Sequence, residues 1–253
     1  MDNAPLLRGK YESLECMDAV YIRQKLQVLE QCCTMCEKEN LYFIGPVPLE
    51  MAETGTPQDD DLKNIPVHIT MKEHSTCLCR VCCGPFRAFT MDIAGANGEK
   101  YGQFRREWRC CCQDLEVYDE KGQRLGGAFC ECDCYELCCG NIFIRIDDTT
   151  GETKGYIKHV TPSLCNGCTN CCAPSCCNPV WDDLIVGNDR TSTLGRLRNV
   201  FPGLGCRCLS DSDNYLLSFP ENSSRNDKLL WLGGLVLTDF VFNEKRPNQN
   251  HSN

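Results

Sequence analysis

Cysteines are the residues of this chain with the greatest capacity for chemistry, and some of them have metal-ligand spacing. The chain has 24 cysteines among 253 residues. Two residues separate Cys79 from Cys82, and the same spacer separates Cys165 from Cys168. Two thiolates at this spacing can reach one tetrahedral zinc ion. Other cysteines are directly adjacent, which suits chelation less well, so free or lipid-modified thiols are alternative interpretations.

A second candidate site is acidic. Asp211 and Asp213 are two residues apart, a spacing that places hard oxygen ligands on one side of a turning loop and is typical of calcium sites. Further oxygens are available from Asn214, Glu221 and Asn222 and from the backbone carbonyl of Tyr215. A weak calcium site and a solvated turn are both consistent with this segment.

Composition limits the classes of partner and reaction. The formal net charge is -9, from 35 acidic and 26 basic residues, which argues against a nucleic-acid binder because such a protein needs a basic surface. The same charge is repelled by an anionic cytosolic leaflet, so membrane association requires a lipid anchor or a bound cation. The sequence has neither a GxSxG nucleophile motif nor a phosphate-binding loop, and we expect no enzymatic activity.

The N-terminal residues indicate the redox compartment. Met1–Lys10 does not have a basic start followed by an apolar run, which a secretory leader would show. Disulfides need an oxidising compartment, so we expect the thiols to be cytosolic and reduced.

A repeated hairpin pattern dominates the middle of the chain. Alternating segments precede turns that have two glycines four residues apart, at NGEKYG, KGQRLG and TGETKG, which begin at Asn97, Lys121 and Thr150. Alternation places successive side chains on opposite faces of a strand. Asn97 and Gly98 predict a type I′ turn, in which both residues have positive φ. These patterns predict a mainly antiparallel β protein.

Two other segments depart from the hairpin pattern. The chain after Ser223 has helical character and contains the apolar run Leu229–Phe242. This run is shorter than the roughly 20 residues of a membrane-spanning helix, which favours a buried core helix and leaves membrane insertion as the alternative. Gly45–Pro66 contains four prolines and an acidic triplet, which predicts an exposed loop.

Two longer motifs carry a family resemblance. They are CCGPFRAFT at Cys82–Thr90 and DSDNYLLSFP at Asp211–Pro220. With weaker collinear matches along almost the whole chain, they make the sequence resemble the phospholipid scramblases. The resemblance implies a mainly β fold, namely a twelve-stranded Tubby-like antiparallel barrel around a C-terminal apolar helix. The expected barrel domain is 11–244, between a short tail at 1–10 and a polar tail at 245–253.

The resemblance also implies a function and an anchor. The function would be calcium-responsive, energy-independent movement of phospholipids in both directions between membrane leaflets. Cys110, Cys111 and Cys112 stand where the family has its acylated cluster, so they would carry palmitate. Two acyl chains anchor a protein stably where one does not. The expected location is the cytosolic face of a membrane, the plasma membrane in particular, with membrane phospholipids as the partners.

Departures from the family pattern favour a second interpretation. The calcium loop of the family has Gly at its sixth position and Asp at its twelfth, where this chain has Leu216 and Asn222. Both changes should weaken calcium binding. The alternative function is therefore a lipid-anchored scaffold or signalling adaptor without transport activity, whose cysteine clusters are stabilised by zinc.

Overall fold

The structure of the protein is a computed structural model that describes residues 13–25, 39–55, 61–62, 64–131, 141–160, 182–200 and 214–243. Its strands are β1 (Ala19–Gln24), β2 (Leu41–Pro46), β3 (Ile69–His74), β4 (Phe89–Gly95), β5 (Lys100–Arg106), β6 (Asp114–Asp119), β7 (Arg124–Cys130), β8 (Asn141–Asp148), β9 (Thr153–Val160), β10 (Asp182–Val186), β11 (Thr193–Val200) and β12 (Asn214–Ser218). Its helices are α1 (Leu49–Glu53), α2 (Cys77–Cys83) and α3 (Arg225–Thr238), with 3-10 turns at Leu14–Cys16 and Gly84–Phe86 and a π-helical turn at Asp239–Asn243.

Each strand pairs with its neighbours in sequence, and the last strand pairs with the first. All of these pairs are antiparallel, and β12 closes the sheet on β1, where Tyr215 is paired with Ile22. The result is a closed up-and-down barrel, in which the twelve described strands leave no sheet edge open to another chain. This architecture confirms the prediction of a twelve-stranded antiparallel barrel around a C-terminal helix.

Helix α3 fills the barrel. Every residue from Lys228 to Thr238 is buried, and a Cβ atom added to Gly233 or Gly234 would lie 2.8 Å from Val117 or 2.7 Å from Ile146. The two glycines therefore let the helix approach the barrel wall closely. The apolar run is a core helix, as its length indicated. Within the described ranges, no helix is long and apolar enough to cross a membrane.

The predicted hairpins form, but the first turn is not of type I′. Gly98 has a φ of +83°, whereas Asn97 is not among the residues with positive φ. The N–H of Gly98 donates to the carbonyl of Gly95, and the N–H of Gly95 donates to the carbonyl of Glu99. This is a three-residue loop, which needs a left-handed residue only at its last position, where Gly98 stands. The β6–β7 and β8–β9 turns have the same hydrogen bonds.

The prediction of an exposed loop at Gly45–Pro66 was wrong in part. Helix α1 lies in this segment, with Ala52 fully buried, and Leu62 is only 5% exposed. Both pack on apolar side chains that point outward from the barrel, among them Tyr21 and Leu216. The segment covers this face because leaving it in water would be unfavourable.

Candidate functional site

The topology gathers the described cysteines other than Cys16 at one end of the barrel. Odd-numbered strands finish at this end and even-numbered strands start there, because the barrel is an up-and-down meander. Among the described residues, every cysteine except Cys16 belongs to a connection between these strand ends or, as Cys130 does, to the last position of a strand. Cys16 precedes β1 at the opposite end. We call the first end the cysteine end.

The connection between β5 and β6 is the most exposed described part of the cysteine end. Residues 107–112 are all exposed, including Trp108 at 57%. Below them, the buried side chain of Gln113 donates to the carbonyl of Arg109 at 2.8 Å and accepts a hydrogen bond from Arg106. These bonds fix the base of the loop to the barrel, while its indole and thiols face solvent.

Cys110, Cys111 and Cys112, the predicted acylation sites, lie in this exposed loop. The sulfurs of Cys110 and Cys111 are 3.8 Å apart. A hydrogen bond with Cys110 and the nearby thiols raise the pKa of Cys111 above its ordinary value. The loop gives an acyltransferase steric access to all three sulfurs, and acylation stays a prediction.

The predicted zinc ligands are only partly within the described chain. Cys79 and Cys82 lie on helix α2, where Cys82 is exposed and Cys79 is half-buried; Cys165 and Cys168 lie outside the described residues. Among the residues that are described, no three His, Cys, Asp or Glu side chains are grouped so that they could hold a metal ion. Cys77, at the start of α2, is disulfide-bonded, which corrects the expectation that all thiols are reduced.

The structure divides the predicted calcium ligands. Asp211 and Asp213 lie outside the described residues, Tyr215 lies within β12, and Glu221 and Asn222 form a turn beyond the far end of that strand. The five extended residues of β12 span about 13 Å, whereas two ligands of one calcium ion are at most about 5 Å apart. The length of β12 therefore separates Glu221 and Asn222 from Tyr215 and the start of the strand, and a calcium site formed by these residues stays a prediction.

Asn214, the first residue of β12, has an unusual side chain for a barrel position. It is 6% exposed, and its Oδ1 atom is buried without a hydrogen-bond partner among the described residues. An unpaired buried amide oxygen is costly. Asn214 directly follows Asp213 in the sequence, and the binding of a calcium ion by this oxygen stays a prediction.

Tyr215 has a role that the sequence did not reveal. Its hydroxyl donates to Oδ1 of Asp239, and the hydroxyl of Tyr42 donates to Oδ2 of Asp239 at 2.6 Å. Asp239 is 5% exposed and begins the π-helical turn that follows α3. The buried carboxylate thus ties the end of the central helix to β2 and β12 at the cysteine end.

A buried ion pair supports the same helix end. Arg87 Nε and Nη2 donate to the two carboxylate oxygens of Glu73 at 2.7 and 3.0 Å, and the side-chain exposures are 1% and 0%. Burial raises the pKa of Glu73, but its bonds with Arg87 outweigh that effect and place the pKa below the ordinary value of 4.5. The Arg87 guanidinium also lies 4.7 Å from the ring centroid of Phe240, so the arginine of the CCGPFRAFT motif acts on the helix.

Comparison with known proteins gives consistent matches. The family model described as Scramblase matches residues 4–245. Phospholipid scramblase 1 of Rattus norvegicus is 25% identical over 184 residues, which are 70% of this chain and 50% of that protein. The Homo sapiens protein of the same name is 26% identical over 70% of this chain and 53% of its own length.

Phospholipid scramblase 2 of Bos taurus is 26% identical over 179 residues, covering 68% of this chain and 56% of that protein. The chain thus spans about half the length of the curated relatives it matches. No solved structure matches it significantly.

Proposed function

The chain belongs to the Scramblase family, and on that premise we propose that it moves phospholipids in both directions between membrane leaflets without an energy source. The observation that carries this proposal is the exposed loop at residues 107–112, which presents three thiols and Trp108 away from the barrel. Such a surface suits attachment to lipid. In this proposal the protein is a lipid transporter and not an enzyme.

Palmitate on Cys110, Cys111 and Cys112 would hold the cysteine end at the cytosolic face of the plasma membrane. The exposure of the three thiols supports this role. Each buried methylene contributes about 0.8 kcal/mol, so two acyl chains outweigh the repulsion between an anionic leaflet and a protein of net charge -9.

Calcium would bind at the start of β12. Asp211 and Asp213 would supply carboxylates, and the buried, unpaired Oδ1 of Asn214 supports a third ligand there. With few protein ligands, the affinity would resemble that of weak calcium modules, about 0.1 to 1 mM. The start of β12 is at the cysteine end, so the ion would offset negative charge beside the membrane.

The packed barrel favours a second candidate function, that of a lipid-anchored scaffold or adaptor without transport. The side chains of α3 and the strands occupy the interior, so the described part of the barrel offers no polar route for a lipid headgroup. A transporter of this shape would have to move lipid along its outer surface or by disturbing the leaflet. An adaptor needs only the anchor, with zinc stabilising the cysteine clusters.

Exchange of a fluorescent phospholipid between leaflets distinguishes the two functions. Proteoliposomes would carry the full chain, acylated in eukaryotic cells, with and without calcium. We expect exchange that requires calcium and is lost in Asp213→Ala. The control, Glu99→Ala, removes an exposed charge in the β4–β5 turn at the opposite end and should leave exchange intact. A folded, membrane-bound protein that gives no exchange would support the adaptor.

A further inference from the structure

Helix α2 exposes apolar side chains to water and buries a charged one. Leu78 is 73% exposed, Val81 is 47% exposed, and Cys82 is also exposed. Positions i, i+3 and i+4 share one face of a helix. Arg80, in contrast, is 7% exposed, and its guanidinium donates to the Ser75 hydroxyl at 2.9 Å. A surface helix of a soluble protein places its apolar stripe against the core, so this stripe faces something other than the barrel.

The exposed stripe lies beside the Trp108 loop. Helix α2 leads into β4 and the loop follows β5, and these two strands are paired, with Phe89 opposite Arg106. Arg106 also donates to the carbonyl of Pro85 at 2.7 Å, which ties the segment just after α2 to the base of the loop. Both features therefore occupy neighbouring positions at the cysteine end.

The other exposed large apolar residues of the described chain are Leu49, at 41%, and Leu194, at 39%. They belong to α1 and to the start of β11, both of which lie toward the opposite end of the barrel. Neither is accompanied by exposed thiols in its own element. Leu49 and Leu194 can therefore serve as control positions, because they are exposed apolar residues at the end opposite the cysteine end.

We propose that Leu78, Val81 and Trp108 form an apolar wedge that inserts into the headgroup and upper acyl region of a phospholipid bilayer. The inference rests on the proposed function and deepens it, because it names a non-covalent membrane contact. The wedge would act before acylation, by holding the thiols of the 107–112 loop at the lipid surface.

Three features favour a bilayer over a protein partner. Tryptophan prefers membrane interfaces, where its ring is in apolar surroundings and its N–H can still find a polar partner. Exposed thiols border the wedge on both elements, at Cys82 and Cys110, and acyl chains there would enter the same lipid. Three side chains are also too few for a stable protein interface, which buries about 1,000 Å² or more.

The test measures binding of the full chain to phosphatidylcholine vesicles. Protein made in bacteria, which is not acylated, would be co-sedimented with vesicles. We expect Leu78→Ser/Val81→Ser and Trp108→Ser each to weaken binding about tenfold or more, the effect of losing buried apolar side chains. The matched control, Leu49→Ser/Leu194→Ser, should bind as the wild type does. Binding should also change little with salt, because neutral lipid and apolar contacts carry it.

A second measurement shows whether Trp108 enters the lipid. Phospholipids with brominated acyl chains quench indole fluorescence at close range, and the difference between the wild type and Trp108→Phe isolates the signal of Trp108. Strong quenching supports the wedge. Absence of quenching, or wild-type binding by the wedge variants, would overturn it.

If the wedge contacts something other than a bilayer, the same variants would give different results. A dimer in solution that dissociates in Leu78→Ser/Val81→Ser would overturn the proposal in favour of self-association. A lower melting temperature with unchanged vesicle binding would overturn it in favour of a contact within the chain. The proposed function is separable, since a protein that binds vesicles through the wedge but exchanges no lipid after acylation contradicts transport and leaves the wedge intact.

Discussion

At the scale of single residues, the Glu73–Arg87 pair explains why the CCGPFRAFT motif contains an arginine. Both side chains are removed from water, and two hydrogen bonds at 2.7 and 3.0 Å join them. Charges this deeply buried are stable only when they are paired. The pair also positions Arg87 over Phe240, so one ionic contact supports the end of the central helix.

Replacing Glu73 should therefore be much more costly than replacing an exposed partner of the same type. We expect Glu73→Gln to lower the free energy of unfolding by about 3 to 5 kcal/mol, because it leaves the Arg87 charge buried without a counterion. Glu116→Gln, which removes an ion pair with Arg124 whose side chains are each 40% exposed, should cost about 0 to 1 kcal/mol. Urea unfolding measures the stability of both variants. Equal losses of stability would contradict the claim that the buried pair is worth more than the exposed one.

The pH dependence of the same pair has a defined sign. Since the folded-state pKa of Glu73 lies below 4.5, ionised Glu73 stabilises the fold above that pH, and the contribution is lost as pH falls through the lower folded value. The stability of the wild type should therefore approach that of Glu73→Gln in acid. If the wild type remains more stable than Glu73→Gln by the same amount at low pH, ionisation of Glu73 is not the source of that stability.

At the scale of elements, the hairpins show what local patterns can and cannot predict. The first glycine of each turn was predictable, because a left-handed turn position excludes most side chains. The second glycine has a separate cause. Gly126, for example, lies where the β6–β7 register shifts, and an added Cβ would meet the Asp147 carbonyl at 2.1 Å. That contact comes from β8, so no spacing within the hairpin indicates it.

Contacts distant in sequence account for most of what the sequence did not reveal. Tyr42 and Asp239 are 197 residues apart and hydrogen-bond only because the barrel closes around α3. Strand pairing also affects the predicted calcium ligands. Their spacing predicts a loop, whereas pairing with β1 and β11 extends this segment and separates Glu221 from Asn214.

Helix α3 provides a test of its place inside the barrel. A Cβ atom added to Gly234 would lie 2.7 Å from a methyl group of Ile146 and 2.8 Å from a methyl group of Ile157. We expect Gly234→Ala to lower stability by about 1 to 3 kcal/mol through overpacking, in spite of alanine's higher helix propensity. Gly234→Leu should prevent folding. Thermal unfolding measures both, and a Gly234→Leu protein that kept its melting temperature while inserting into bilayers would show that the helix belongs in lipid.

At the scale of the whole molecule, the fold separates two ends of different character. The helix begins at one end with a capping box between Ser224 and Asp227 and finishes at the other among buried aromatic and charged groups. The spacing of the cysteines does not predict where they lie in the fold. The common end of the described cysteines other than Cys16 follows only from the strand order, because an antiparallel meander brings alternate connections together. The barrel thus presents Trp108 and the thiols of the 107–112 loop at one of its two ends.

The most direct test of this account is the protection of thiols on the membrane. Unacylated protein made in bacteria would be labelled, free and bound to vesicles, with a membrane-impermeant maleimide, and the labelled sites would be identified by mass spectrometry. Cys110, Cys111 and Cys112 should be protected by vesicles, whereas Cys16, exposed at the opposite end, should label equally in both states. Protection of Cys16 with continued labelling of the 107–112 loop would contradict a membrane-facing cysteine end.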